Sequence, residues 1–257
     1  MLKRYLKIAL TTLLIGYLAI GMLLYVFQEK FLYHPTPKIK IDYPQMVLHR
    51  EGADVVVHVL NGEHKNAILY FGGNAESMAS SADYIAMQFP DFTCYLMDYR
   101  GFGESTGTPS QKALYEDALA LYDVVAKKHE RISIGGRSLG TGVATHVAAH
   151  RAVRKLALIT PYDSIASVAQ GRYLMYPASW LLRDKYNAIA EVKDIEAKTF
   201  IVIAQNDKVI PRIHVQRLIK AFKKEQLKVT IIKNRGHMDI SDDAGYYKIM
   251  QAFIGEG

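Results

Sequence analysis

The residue of this sequence best placed to act as a nucleophile is a serine that lies between two glycines. Ser138 stands in the segment GRSLG, residues 136–140, which is a G-x-S-x-G pattern. An apolar run precedes it and an Ala/Val-rich segment follows, so Ser138 is predicted on a sharp turn from a strand into a helix. Small flanking residues let such a turn project the hydroxyl at strained backbone angles. We predict that Ser138 is a nucleophile; the alternative is a Gly-rich structural turn.

A serine hydroxyl needs a base that removes its proton, commonly a histidine oriented by a carboxylate. In a strand–turn–helix setting the chain order is serine, acid, histidine. His237 follows the last apolar run in a Gly-rich turn, and Asp207 follows the run before it. Of the competing acids, Asp194 precedes its strand, and Asp239 is too close in sequence to His237 to orient its ring easily. We predict that Ser138, Asp207 and His237 act together.

Acyl transfer also requires N–H donors aimed at the developing oxyanion. The apolar run 67–71 ends in GGNA, residues 72–75, where glycines allow the backbone to approach a substrate carbonyl closely. The predicted donors are the backbone N–H groups of Asn74 and of Leu139, the residue after the nucleophile. A plain turn at the end of a strand is the alternative for this segment.

No pattern indicates a metal, nucleotide or flavin, so we expect no cofactor. His146 and His150 are four residues apart, but HVAAH lacks the glutamate of a zinc protease and no third ligand is apparent. Cys94 is the single cysteine, which excludes a cysteine-rich metal site. The net charge is +7, but no clustered basic face is apparent, so we expect no nucleic-acid partner.

Strands and helices alternate along most of the chain. We predict strands at 46–50, 55–60, 67–71, 93–97, 132–134, 155–159, 200–204 and 229–233. We predict helices at 78–89, 111–129, 140–150, 212–223 and 244–254. Several strands are continuous apolar runs, which is typical of strands buried on both faces of a parallel sheet. The pattern predicts an open α/β sheet with its chemistry at the carboxyl ends of the strands.

The N-terminus carries an apolar run long enough to cross a membrane. Residues 8–27 contain no charge, and as a helix they span about 30 Å. We predict an uncleaved anchor; a cleaved signal peptide, whose apolar core is shorter, is the alternative. Lys3, Arg4 and Lys7 precede the run, which places the N-terminus in the cytoplasm and the body on the non-cytoplasmic side.

These motifs together resemble the α/β-hydrolase fold. The residues that carry the resemblance are FGGNA at 71–75, DYRGFGES at 98–105, GRSLG, Asp207 before Val209-Ile210-Pro211, and Gly236-His237. With the anchor and the connector FQEKFLYHP, the chain is similar to the membrane-anchored, small-lid serine hydrolases of this fold. That resemblance implies hydrolysis of acyl esters or thioesters, of lipids or lipidated substrates. One departure is Gly72, where many relatives have histidine.

The predicted organisation has three parts. Residues 1–27 form a cytoplasmic stub and anchor, 28–45 a connector, and 46–257 a hydrolase domain with a small lid within 161–198. Tyr162 and Trp180 are candidate substrate contacts, because aromatic side chains there could line an acyl pocket. They could equally pack a helix onto the sheet.

We therefore predict a membrane-tethered serine hydrolase of esters or thioesters. Two alternatives stay open: acyl transfer or peptide cleavage by the same residues, and a non-catalytic binding module on the fold.

Overall fold

The computed structural model describes residues 1–256, and its centre is one eight-stranded sheet. The strands are β1 (Gln45–Arg50), β2 (Ala53–Leu60), β3 (Asn66–Phe71), β4 (Thr93–Met97), β5 (Arg131–Arg137), β6 (Lys155–Ile159), β7 (Lys198–Ala204) and β8 (Leu227–Ile232). Their order is β1-β2-β4-β3-β5-β6-β7-β8. β2 runs antiparallel to β1 and β4, and all other pairs are parallel. The predicted mostly parallel α/β sheet is confirmed.

Ten helices accompany the sheet within residues 1–256. They are α1 (Leu2–Val26), α2 (Gln28–Leu32), α3 (Met78–Gln88), α4 (Gln111–Val125), α5 (Leu139–His150), α6 (Ile165–Arg172), α7 (Ala178–Leu181), α8 (Ala188–Glu191), α9 (Arg212–Ala221) and α10 (Tyr246–Gly255). Apolar residues of α4, α5 and α9 pack on one face of the sheet, and those of α3 and α10 pack on the other. Successive strand residues point to opposite faces, so both faces need apolar side chains.

The strand before Ser138 is longer than its apolar run suggests. β5 ends at Arg137 rather than at Ile134, because the two glycines before Arg137 still pair with β3 and β6. Their missing side chains hide this pairing from a search for apolar runs.

α1 and the segment between β6 and β7 lie outside the layers formed by the sheet and its flanking helices. α1 is long and apolar enough to cross a membrane, judged by length and composition. Between β6 and β7, residues 160–197 carry α6, α7 and α8. α8 packs on α5, whereas α6 and α7 pack on each other. We call residues 165–182, which include α6 and α7, the lid.

Candidate active site

Ser138 lies on a strained turn between β5 and α5. Its backbone has φ +47° and ψ −116°, a region that side chains other than glycine rarely occupy and that costs about 1–3 kcal/mol. Two glycines make the turn possible. A Cβ on Gly140 would lie 2.0 Å from the carbonyl oxygen of Phe71, and one on Gly136 would lie 2.5 Å from that of Gly140. The predicted sharp turn is therefore present, and it needs both glycines.

The structure brings the predicted acid and base to this serine. The Nε2 atom of His237 lies 2.8 Å from Ser138 Oγ, and its Nδ1 atom lies 2.8 Å from Asp207 Oδ2. A carboxylate only accepts, so Nδ1–H donates to Asp207 and the Nε2 lone pair faces the serine hydroxyl. Only 6% of the His237 side chain and 8% of the Asp207 side chain are exposed. The three groups form one largely buried line.

Backbone amides hold the acid in place. The second carboxylate oxygen of Asp207, Oδ1, accepts the N–H groups of Val209 and Ile210, each at 2.8 Å. This pins the carboxylate where β7 ends and leaves Oδ2 pointing at the imidazole. Both residues belong to the segment Val209-Ile210-Pro211, which follows the predicted acid in the sequence.

The competing acids have other positions. Asp239 Oδ1 accepts the Gly236 N–H at 2.7 Å, so it caps the loop that carries His237 rather than orienting its ring. Asp194 ends a short 3-10 turn before the start of β7, whereas Ser138 follows the carboxyl end of β5. Arg137 also supports the histidine loop, because its guanidinium donates to the carbonyl oxygens of His237 and Met238 at 3.3 and 3.0 Å.

The predicted oxyanion donors face the same turn. Leu139 is the first residue of α5, where a backbone N–H has no acceptor within its own helix. Within residues 1–256 neither its N–H nor that of Asn74 has a hydrogen-bond acceptor. The loop of Asn74 runs close to the nucleophile, since a Cβ on Gly73 would lie 3.5 Å from Ser138 Cβ. Two N–H groups near the turn at Ser138 thus have no acceptor within the described residues.

Glu76 organises this loop, a role that the sequence analysis missed. Its Oε2 accepts the Gly73 N–H at 2.6 Å, and its Oε1 accepts the Tyr70 hydroxyl at 3.0 Å. Arg137 lies 3.9 Å away. Burial of the Arg137 guanidinium lowers its pKa, but Glu76, followed by the hydroxyls of Tyr70, Tyr246 and Tyr247, together raise it by more, so the Arg137 pKa is above its ordinary value. A carboxylate three residues after a turn glycine was the available signal.

The Asn74 side chain ties the loop to the connector. Its amide nitrogen donates to the Leu32 carbonyl oxygen at 2.6 Å, and its amide oxygen accepts the His34 N–H at 2.9 Å. The chain that leaves α1 and α2 therefore passes directly beside the candidate oxyanion site. No local pattern could have indicated this contact, because it joins segments 40 residues apart or more.

The two candidate substrate contacts are not brought together. Tyr162 is fully buried beneath α5, and its hydroxyl donates to the Leu139 carbonyl oxygen at 3.0 Å. It has no surface to offer a substrate, so the expected contact is replaced by a packing role. Trp180 lies on α7 with 77% of its surface exposed.

His146 and His150 of α5 both form hydrogen bonds to nearby protein groups. The His146 ring stacks on Tyr115, and its Nδ1 lies 2.9 Å from Glu191 Oε1. His150 Nδ1 bonds to the His146 carbonyl oxygen at 2.8 Å. Among residues 1–256 no three His, Cys, Asp or Glu side chains are grouped so as to hold a metal ion.

Comparison with known proteins agrees with this fold. Residues 66–190 match the family model described as the alpha/beta hydrolase fold. An uncharacterized protein of Mycobacterium tuberculosis is 27% identical over 246 residues, covering 88% of this chain and 86% of its own. A lysophosphatidylserine lipase of Macaca fascicularis is 30% identical over 167 residues, covering 56% of this chain and 42% of its own.

Solved structures agree on the fold. An esterase of Pyrococcus furiosus superposes with a TM-score of 0.66 at 13% identity, covering 87% of this chain and 95% of its own. Est1E of Butyrivibrio proteoclasticus, solved with ferulic acid, gives 0.66 at 15% identity, covering 82% of this chain and 100% of its own. The chain therefore has the α/β-hydrolase fold and is a hydrolase, and residues 66–190 match the family model of that fold.

Proposed function

We propose that this hydrolase is a membrane-anchored serine hydrolase that cleaves carboxylic esters or thioesters. The observation that carries the proposal is the line of hydrogen bonds from Ser138 Oγ through the His237 imidazole to Asp207, each 2.8 Å long. A lone serine is a weak nucleophile, and this arrangement supplies both the base and the group that orients it.

In the proposed acylation step, Ser138 Oγ attacks the substrate carbonyl carbon and His237 Nε2 takes the hydroxyl proton. Negative charge develops on the carbonyl oxygen, and the N–H groups of Asn74 and Leu139 are the proposed donors to it. Asp207 keeps its hydrogen bond to Nδ1–H and stabilises the imidazolium. The intermediate then expels an alkoxide or thiolate, which receives the proton from Nε2, and leaves an ester between the acyl group and Ser138.

In the proposed second step a water molecule gives its proton to His237 Nε2 and attacks the ester carbonyl. The same two N–H groups donate to the oxyanion again. Collapse breaks the bond to Ser138 Oγ, which recovers its proton from Nε2, and releases a carboxylic acid. The enzyme returns to its starting state.

The names of relatives support the substrate class. One similar protein is a lysophosphatidylserine lipase and one structural neighbour is an esterase, so ester bonds, including those of lipids, are the proposed targets. An acyltransferase or a peptidase would use the same three residues. A non-catalytic binding module would not require them together.

The proposed organisation follows the sequence prediction. Residues 1–27 form a cytoplasmic stub and anchor, 28–45 a connector, and 46–257 the hydrolase domain with a small lid within 161–198. The helix Leu2–Val26 supports the anchor by length and composition. Lys3, Arg4 and Lys7 favour a cytoplasmic N-terminus and a body on the other side of the membrane.

Active-site labelling tests the catalytic proposal. A fluorophosphonate probe should label the full-length wild type and not Ser138→Ala, while Ser80→Ala, at an exposed serine of α3, should label normally. Hydrolysis of p-nitrophenyl butyrate should fall about 10³-fold or more in Ser138→Ala and His237→Ala. Full turnover by Ser138→Ala would refute the assignment. Peptide cleavage with negligible ester turnover would favour the peptidase alternative.

Fractionation and a fused reporter test the anchor. The protein should stay with membranes in alkaline carbonate, and a reporter after residue 257 should read as non-cytoplasmic. A soluble product that begins near residue 28, seen by intact mass, would instead show a cleaved signal peptide. A cytoplasmic reporter would contradict the proposed topology.

A further inference from the structure

An apolar cavity of about 140 Å³ lies between the last turns of α1 and the lid. α1 contributes Gly21, Leu24 and Tyr25, and the lid contributes Ala169, Tyr173 and Leu181. We call it the junction cavity. Its volume is close to that of an engineered protein cavity of about 150 Å³ that binds benzene, so it suits a segment of one alkyl chain.

Specific contacts hold the lid against α1. The Tyr17 and Tyr176 rings stack with centroids 4.6 Å apart and an interplanar angle of 7°. The Tyr17 hydroxyl donates to the Met175 carbonyl oxygen at 2.7 Å, and the Tyr176 hydroxyl donates to that of Tyr17 at 3.1 Å. Gly21 permits this approach, because a Cβ there would lie 2.9 Å from the Tyr176 ring.

These contacts set the depth of the lid. Tyr17 precedes the end of α1 at Val26 by about 14 Å of helix, given about 1.5 Å per residue. Half of a bilayer's hydrocarbon core is about 15 Å thick. If α1 spans the bilayer as proposed, the lid residue that stacks on Tyr17 lies at the level of the acyl chains.

The composition of the lid suits that position. Residues 173–182, YLMYPASWLL, carry no charge and are flanked by Arg172 and Arg183. Leu174, Met175 and Trp180 are 81%, 76% and 77% exposed. Contact of such apolar side chains with water is unfavourable, and contact with hydrocarbon removes this cost.

Several polar groups of this segment are paired internally, which lowers the cost of placing them in lipid. Gln170 donates to the Tyr176 carbonyl oxygen at 3.0 Å and accepts the Ser179 N–H at 3.1 Å. At the end of α1, Arg183 pairs with Glu29 at 3.5 Å, which fits the water boundary.

The junction cavity is linked to the candidate active site through one of its lining residues. Leu32 lines the cavity, and its carbonyl oxygen accepts the side-chain amide of Asn74. The backbone N–H of the same asparagine is a proposed oxyanion donor. One wall of the cavity is therefore hydrogen-bonded to the loop that carries a proposed oxyanion donor.

We propose that the lid inserts into the bilayer and that the junction cavity receives one acyl chain of a membrane ester directly from the leaflet, with α1 as one wall. This inference rests on the proposed function, since it names the route and binding site of that enzyme's substrate. It assigns to the anchor a part in substrate selection as well as attachment.

Filling the cavity tests the acyl site. In full-length protein in phosphatidylcholine vesicles, Gly21→Leu should lower kcat/KM for p-nitrophenyl laurate about tenfold or more, since each methylene contact is worth about fourfold. The readout is the ratio of kcat/KM for the laurate to kcat/KM for p-nitrophenyl acetate, whose acyl group is too short to fill the cavity, so a general loss of activity leaves the ratio unchanged. Gly16→Leu is the matched control on the same helix, because a Cβ on Gly16 would meet no atom within 4 Å. Ala169→Phe fills the cavity from the lid side and should act like Gly21→Leu.

The outcomes separate this inference from the proposed function. If both esters are hydrolysed in a Ser138-dependent manner and the laurate-to-acetate ratio is unchanged in Gly21→Leu and Ala169→Phe, the acyl site is refuted alone. A wild type that hydrolyses neither ester contradicts the proposed function.

Lid insertion can be measured without catalysis, because Trp180 is the only tryptophan of the chain. Its fluorescence should be quenched strongly in vesicles of phosphatidylcholine brominated on the acyl chains and weakly by aqueous iodide. Strong quenching by iodide without quenching by the brominated lipid would overturn the insertion.

Discussion

Glu76 offers a sharp test of how the oxyanion loop is held. The Glu76→Gln substitution keeps the shape of the side chain and removes its charge. One amide oxygen can still accept the Gly73 N–H, but the bond loses its charge assistance, and Arg137 loses its carboxylate neighbour. Glu76 touches no reacting atom, so it is a positioning residue for Asn74.

The magnitude follows from the hydrogen bond. Bonds to charged groups contribute about 1.5–3 kcal/mol and neutral ones about 0.5–1.5 kcal/mol, so the substitution removes about 1–1.5 kcal/mol. The Glu76 side chain is only 14% exposed, so water replaces little of this. If this hydrogen-bond energy is lost from the stabilisation of the oxyanion, kcat falls about five- to tenfold. The upper bound is the fall in kcat of about 10²- to 10³-fold that follows the complete removal of one oxyanion donor.

Steady-state kinetics with p-nitrophenyl butyrate provide the assay. We expect a lower kcat with KM nearly unchanged, because the oxyanion develops only in the transition state. Fluorophosphonate labelling should slow in parallel, since its adduct uses the same donors. Glu116→Gln, at an exposed carboxylate of α4, is the matched control. A folded Glu76→Gln protein with kcat within twofold of the wild type would refute the reasoning.

Three further predictions concern other parts of the chain. Gly140→Ala should lower Tm or prevent folding, because its Cβ would overlap the backbone of β3, whereas Gly62→Ala, in open space, should not. Burial raises the pKa of the Cys94 thiol to about 12, so thiol reagents should label native protein far more slowly than unfolded protein; rapid native labelling would contradict this. Asn74→Ala keeps its backbone N–H but releases Leu32, so limited proteolysis should cut residues 33–44 faster, with kcat reduced less than in Ser138→Ala.

Local chemistry made the turn at Ser138 predictable. Gly136 and Gly140 flank Ser138 in the sequence. In the structure a Cβ at either position would overlap neighbouring backbone atoms, so both must be glycine. The order of Ser138, Asp207 and His237 could be predicted because carboxyl ends of parallel strands meet at one edge of a sheet. Apolar runs located all eight strands, since burial on both faces leaves a continuous apolar pattern, but they missed the end of β5, where two glycines carry no side chain.

Tertiary packing decided what composition left open. Tyr162 and Trp180 are both aromatic residues of one segment, yet one is buried beneath α5 and the other is exposed on the lid. Tyr162 is buried because it bonds to α5, whereas Trp180 lies on α7, which packs on α6. The role of Glu76 depends on the turn that brings Gly73 N–H to its carboxylate. The contact of Tyr17 with Met175 joins residues 158 apart, and no sequence period links an anchor helix to a lid that folds back along it.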